Sequence, residues 1–96
     1  KHHFKTDQFG LVVKPLDTNL RKRFRIRKSQ GLVITHIKPG SKAFKKGFKV
    51  GMIIEELNHE PIETIDDYTN SVKGQVETLF LVNFRGYSKY LVIRNK

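Results

Sequence analysis

Apolar residues fall along this chain in short runs, one of them alternating with period two, broken at intervals by Gly, Pro, Asn and Asp. Phe9, Leu11 and Val13 alternate with Gly10, Val12 and Lys14, the spacing of a half-buried strand. Pro15 predicts that this strand is an edge or ends there, because proline has no N–H to give a neighbour. Leu32, Ile34 and Ile37 lie in a second run rich in β-branched residues. Pro39-Gly40-Ser41 stops that run and offers Ser41 as the cap of a short helix, in which Ala43 and Phe44 are expected to point inward. Gly47 and Gly51 bracket Phe48-Lys49-Val50, and Met52 to Leu57 reads as the next strand. Asn58-His59-Glu60-Pro61 then turns the chain, since Pro61 pushes its predecessor out of the helical region.

The period becomes helical in two further places. Asp17 or Thr18 can cap a short helix with Leu20 and Phe24 at i, i+4 on its buried side and Arg21, Lys22 and Arg23 on or near its outer side. Thr64 or Asp66 can start a second, in which Ile65, Tyr68 and Val72 share an apolar face, Thr69 sits on the flank and Gly74 ends the helix. Leu79–Phe84 and Tyr90–Ile93 read as strands joined by a hairpin turn at Arg85-Gly86-Tyr87-Ser88. Residues 1–8 show no periodicity and read as a linker or terminal edge, which leaves 9–96 as one domain. Five or six short strands with two or three helices predict an α+β fold, a small barrel or sandwich.

Composition narrows the function classes. Cysteine is absent, which excludes disulfides, thiolate zinc sites and a cysteine nucleophile. No apolar run approaches the roughly 20 residues of a membrane-spanning helix. No leader is expected either, since His2 and His3 stand where its apolar stretch would lie. The formal net charge of +10 is unevenly placed: residues 1–54 carry +12 and residues 55–96 carry −2. Six of the eight residues from Arg21 to Lys28 are basic. Such a surface attracts anionic partners, with a reach of about 8 Å at physiological salt.

The order of punctuation from Gly31 to Ile62, strand, Pro-Gly turn, short helix, glycine-marked turn and strand, resembles a PDZ domain of the bacterial HtrA/Do-like serine protease type. The resemblance extends from Phe9 to Ile93 and includes the permuted order, with the ligand-binding strand first and the hairpin last. It implies a module that binds C-terminal segments of other polypeptides by strand addition. Gln8, Phe9, Gly10 and Leu11 match the carboxylate-binding turn, Val12, Val13 and Lys14 continue the pairing strand, and Tyr68, Thr69 and Val72 match the groove helix. Glycine lets backbone approach a ligand, and successive exposed N–H groups form an anion-binding concavity. Phe9 and Leu11 would line the pocket for the ligand's last side chain, which favours Val, Leu, Ile, Ala or Phe. Gly10→Val or Leu11→Asp is then expected to abolish binding without unfolding the domain. The implied parent is a periplasmic or cell-envelope protease acting in protein quality control, its triad outside this chain, with that protease domain as a partner. No cofactor is implied. The sequence departs from the family at Lys42 and Phe44, where small residues are usual, and in the basic character of Arg21–Lys28.

Rival readings rest on less. Ser29, Ser41, Ser71 and Ser88 lack a G-x-S-x-G elbow, and the adjacent pairs Glu55-Glu56 and Asp66-Asp67 diverge, so no catalytic set is assigned. His36 reads as a pleat residue, His59 as a turn residue, and His2-His3 without further ligands as solvated, so no metal site is assigned. Arg21, Arg23, Arg25, Arg27 and Lys28, with Phe24 interleaved, could contact nucleic acid or another anionic surface. Phe24 is better explained as the packing partner of Leu20, and no nucleic-acid motif accompanies the cluster. The cluster could instead select acidic residues upstream of a ligand's C-terminus. A last alternative keeps the PDZ fold but uses it only for contacts between domains or subunits.

Overall fold

Every strand hydrogen-bonds antiparallel to its neighbours. The computed structural model describes residues 6–27 and 31–94, and His2, His3, Lys28 and Ser29 lie outside them. The elements run β1 (Leu11–Pro15), α1 (Thr18–Phe24), β2 (Leu32–Ile37), α2 (Lys42–Lys46), β3 (Ile53–Leu57), β4 (Glu60–Pro61), α3 (Ile65–Val72), β5 (Glu77–Phe84) and β6 (Tyr87–Arg94). The sheet order is β1-β2-β3-β5-β6, with the short β4 paired to β3. This is the expected α+β architecture of six strands and three helices, as an open sheet with β1 and β6 at its two ends.

Local chemistry sets the helix starts. Asp17 accepts from the Leu20 N–H, Ser41 from the Phe44 N–H and Thr64 from the Asp67 N–H, each relieving an unpaired donor of a first turn. At Thr64 the cap is reciprocal, because the Asp67 carboxylate accepts from the Thr64 N–H. The hairpin turn between β5 and β6 is tighter than the four residues expected. Only Arg85 and Gly86 lie outside the strands, and both have positive φ, 54° and 88°. A two-residue turn with that backbone matches the right-handed twist of its strands.

One core forms on the face of the sheet covered by α3 and α2. Phe80 lies at its middle, fully buried, with the rings of Phe9 and Phe48 edge-on at 5.4 and 5.0 Å. Leu11, Leu32, Ile34, Ala43, Met52, Ile54, Leu57, Ile62, Tyr68, Val72, Val82 and Ile93 complete the cluster. Phe44 is not part of it: Ala43 is fully buried whereas Phe44 is 56% exposed. Neighbouring helix positions point about 100° apart, so a helix of five residues buries one of the pair, and Phe48 fills the place expected for Phe44. Exposure also accounts for the tolerance of Lys42 and Phe44, whose side chains leave the α2–sheet contact to Ala43; the Lys42 ammonium reaches the Arg94 carbonyl. Leu20 and Phe24 are only half-buried, so α1 is a looser cover than its spacing predicts.

Truncating the residue that joins the two edge-on pairs tests this description of the core. Phe80→Ala is expected to lower unfolding free energy by about 3–5 kcal/mol, measured by urea denaturation. A loss under about 1 kcal/mol would mean that Phe80 is peripheral.

Candidate functional site

The turn before β1 is built so that its N–H groups share one direction. Gly10 accepts on its carbonyl from the Lys38 N–H at 2.8 Å, and Phe9 on its carbonyl from the Ala43 N–H at 3.0 Å. With those carbonyls held by the end of β2 and the start of α2, the N–H groups of Phe9, Gly10 and Leu11 face away from them. They meet Asp7. Its Oδ1 accepts from Phe9 and Leu11, both at 2.9 Å, and its backbone carbonyl accepts from Gly10 at 3.0 Å. Asp7 also donates its own N–H to the Leu11 carbonyl at 3.0 Å. The turn that sequence assigns to carboxylate binding thus already holds a carboxylate.

Gly10 is required there by two constraints. Its φ is +90°, and a Cβ would lie 2.2 Å from Ser41 Cβ. Any side chain at position 10 would push on Ser41, which caps α2. Leu11 is 1% exposed within the core. Gly10→Val and Leu11→Asp therefore disturb the loop and the core themselves, and neither is the clean binding probe that the sequence offers.

The facing wall is α3, which packs against β1 and β3. Tyr68 and Val72 point inward and are buried, whereas Thr69 is exposed, as is Ile65 at 38%. The Tyr68 hydroxyl donates to Asp7 Oδ2, tying the helix to the turn. Burial first, then the charge of Asp7 and the hydrogen bond to it, push the Tyr68 hydroxyl well above its ordinary 10.0. It therefore stays a protonated donor at neutral pH. Phe9, Leu11, Tyr68 and Val72, which the sequence assigns to the pocket and the groove helix, are all buried in one core cluster. Gln8 is exposed, and the remaining strand residues grade outward, Val12 and Val13 half-buried and Lys14 exposed.

The basic residues gather elsewhere. A cavity of about 880 Å³ is lined by Arg23, Arg25 and Arg27 from the chain around the end of α1, and by Arg85 from the β5–β6 turn. Its walls include Phe24 and Phe84, with the Arg23 guanidinium 5.2 Å from the Phe24 ring centre and that of Arg85 5.2 Å from the Phe84 ring centre. No carboxylate lines it among the described residues. Arg25 and Arg85 both have positive φ, 56° and 54°, an uncommon backbone for a residue with a side chain. Arg21 is not among the lining residues; it is half-buried, and its Nε has no hydrogen-bond partner among the described residues. Among the described residues, no group of three His, Cys, Asp or Glu is placed to hold a metal ion, and no helix is long and apolar enough to cross a membrane.

Sequence reasoning missed two of these residues. Asp7 fell in the aperiodic segment assigned to a linker, although an Asp two residues before a turn N–H is a known local acceptor. Arg85 joins the basic cluster only through the pairing of β3 with β5.

No protein-family model matches the chain. The curated relatives include a probable periplasmic serine endoprotease DegP-like of Bartonella henselae, 30% identical over 68 residues, 71% of this chain and 12% of that protein. The periplasmic serine endoprotease DegP of Escherichia coli is 28% identical over 75 residues, 78% of this chain and 15% of its own length. The chain thus spans 12–15% of the length of these relatives. Among solved structures, the HtrA3 PDZ domain bound to a phage-derived ligand, FGRWV, superposes with a TM-score of 0.79 at 19% identity, covering 90% of this chain and 81% of that one. The HtrA-type protease AlgW with a decapeptide gives 0.79 at 18% identity, covering 90% of this chain and 27% of that one.

The start of α3 also generates a pH test. The Asp67 carboxyl is held below its ordinary 3.8, chiefly by the Glu63 N–H and then the Thr64 N–H. A depressed carboxylate contributes stability that is present above the unfolded value and lost as pH falls through the folded one. The wild type is therefore expected to melt above Asp67→Asn at about pH 6, with the gap closing below pH 3.8. A gap that persisted under acid, read by circular dichroism, would remove the carboxylate from this role. The chain has the fold of a PDZ domain, and the proteins it is similar to in sequence include HtrA/Do-like serine proteases.

Proposed function

We propose that the domain binds the C-terminal ends of polypeptides, laid as an added strand along β1 with the free carboxylate in the Phe9–Leu11 turn. The observation that carries this reading is the convergence of the Phe9 and Leu11 N–H groups on one carboxylate oxygen, that of Asp7. β1 is an end strand of the sheet, which leaves a row of backbone groups for another chain. Phe9, Leu11, Tyr68 and Val72, now buried in one core cluster, would line an apolar pocket once the turn opens, which favours a ligand ending in a residue such as Val, Leu, Ile, Ala or Phe. Support also comes from the fold neighbours, the HtrA3 domain with FGRWV and AlgW with a decapeptide. The domain serves as a substrate-recognition or regulatory part of a larger periplasmic HtrA/Do-like serine endopeptidase, in which the protease domain is its partner and carries the triad. The names of the relatives and the 12–15% of their length that the chain spans support this placement.

A second, compatible reading rests on the Arg-lined cavity. Four arginines and two aromatic rings line it, with no carboxylate among the described lining residues, which favours an anionic ligand. The strand ends that line it, at Ile53 and Asn83, are in register with Val33 and so with Lys14. This is the end of β1 away from the carboxylate turn. An added antiparallel strand runs its upstream residues toward it, so acidic residues there would be selected.

One set of titrations, read by backbone amide shifts, tests both readings. A pentapeptide ending in free valine should move Phe9–Lys14 and Thr69–Val72, and its C-amidated twin should not. Aspartate placed upstream should tighten binding in a salt-dependent way. Shifts confined to Arg21–Arg27 and Arg85 with an oligonucleotide, and none with the peptide, would replace peptide binding with the nucleic-acid alternative. No shift with either would leave the fold to contacts within the parent protein.

A further inference from the structure

The structure assigns Asp7 the position of a ligand's terminal residue: it is a built-in competitor for the groove, displaced when a C-terminus binds. This inference rests on the peptide-binding reading above and concerns the regulation of the same site. Position 11 is the place to judge it. The Gly10 carbonyl faces β2, where it accepts from Lys38, and the Leu16 N–H faces the same way, donating to Gly31. By the alternation of a strand, the Leu11 N–H and carbonyl face the free edge of β1. An added antiparallel chain ending at Leu11 would give its last N–H to that carbonyl and take that N–H on its carboxylate. Asp7 makes both bonds, each within 3.0 Å, one from its backbone and one from its side chain.

The rest of the turn is committed to the same residue. Phe9 donates to the same carboxylate oxygen, Gly10 donates to the Asp7 carbonyl, and the Tyr68 hydroxyl reaches across from α3 to the second oxygen. The N–H groups of Phe9, Gly10 and Leu11 are all taken while Asp7 is in place. An incoming carboxylate replaces that of Asp7 one for one, so the exchange conserves charge and hydrogen bonds. What decides it is local concentration: an acceptor tethered four residues from Leu11 acts at the millimolar scale or above. The affinity seen by a free peptide is reduced by the fraction of time for which the turn is vacated. Binding also detaches the backbone of Asp7 from β1. Occupancy of the groove is thereby converted into release of the chain on the N-terminal side of the domain.

A residue that merely supported the loop would weaken binding when removed, whereas a competitor strengthens it. Calorimetric titration of wild type, Asp7→Asn and Asp7→Ala with the free-valine pentapeptide separates the two. Asp7→Ala is expected to bind about tenfold tighter or better, and Asp7→Asn to fall between, since it keeps a carbonyl acceptor without the charge. The C-amidated peptide should gain nothing. Equal or weaker binding by Asp7→Ala, with its melting curve unchanged, overturns the inference while leaving peptide binding intact. Failure of the wild type and both variants to bind overturns the peptide reading itself, and this inference with it. A second measurement needs no substitution. In the wild type, the side-chain carboxyl carbon and backbone amide of Asp7 should move in step with saturation by the free-valine peptide. Resonances of Asp7 that stay fixed while the peptide binds would overturn displacement.

Discussion

The orientation of three consecutive peptide groups, Phe9 to Leu11, is the constraint on which the site depends. A buried N–H without an acceptor costs about 1–3 kcal/mol, so a turn whose carbonyls are fixed on one side must find acceptors on the other. Lys38 and Ala43 fix those carbonyls, and both are themselves set by the Pro39-Gly40-Ser41 break and the helix it starts. Gly10 is the residue that makes the arrangement possible, because any Cβ there would collide with Ser41. The turn, the end of β2 and the cap of α2 are therefore one mechanical unit. Its requirement for an acceptor is what Asp7 meets from within the chain.

The opposite wall answers to the same unit by a different route. α3 is fixed at its start by the reciprocal cap between Thr64 and Asp67, and by burial of Tyr68 and Val72 against β1 and β3. Tyr68 is amphipathic in use: its ring belongs to the core, and its hydroxyl reaches Asp7. Helix and turn are thus joined through a polar contact at the groove end as well as through apolar packing beneath it. A ligand that separates Asp7 from the turn also acts on the helix.

Much of the scaffold was legible because its signals are local. Alternation located β1, apolar runs bounded by turn residues located β2, β3 and β5, and Asp17, Ser41 and Thr64 announced three helix starts by their own side-chain chemistry. Gly10 could be picked out as a place where backbone must approach something closely. The failures were of geometry over distance. Phe44 reads as apolar and inward, yet a five-residue helix has room to bury only Ala43. Phe9 and Leu11 read as pocket-lining, and the structure spends both in the core around Phe80. Asp7 carries no period and no motif, and its role exists only once Tyr68 has been brought to it by a fold that closes over sixty-one positions. Arg85 became a neighbour of Arg23, Arg25 and Arg27 through strand pairing that no spacing along the chain announces.

Pro15 first counts as the end of a strand, but its place in the alternation gives it a second meaning. Residues 11, 13 and 15 face the open edge of β1, since Leu16 turns its N–H inward to Gly31 and Gly10 its carbonyl to Lys38. A chain laid along that edge finds a full donor and acceptor at Leu11 and again at Val13, and then a nitrogen that carries no hydrogen. The edge is a ruler with two marks. It can measure a few residues back from a free terminus and cannot extend that pairing further, so a long unfolded segment has no ladder by which to zip itself onto the sheet.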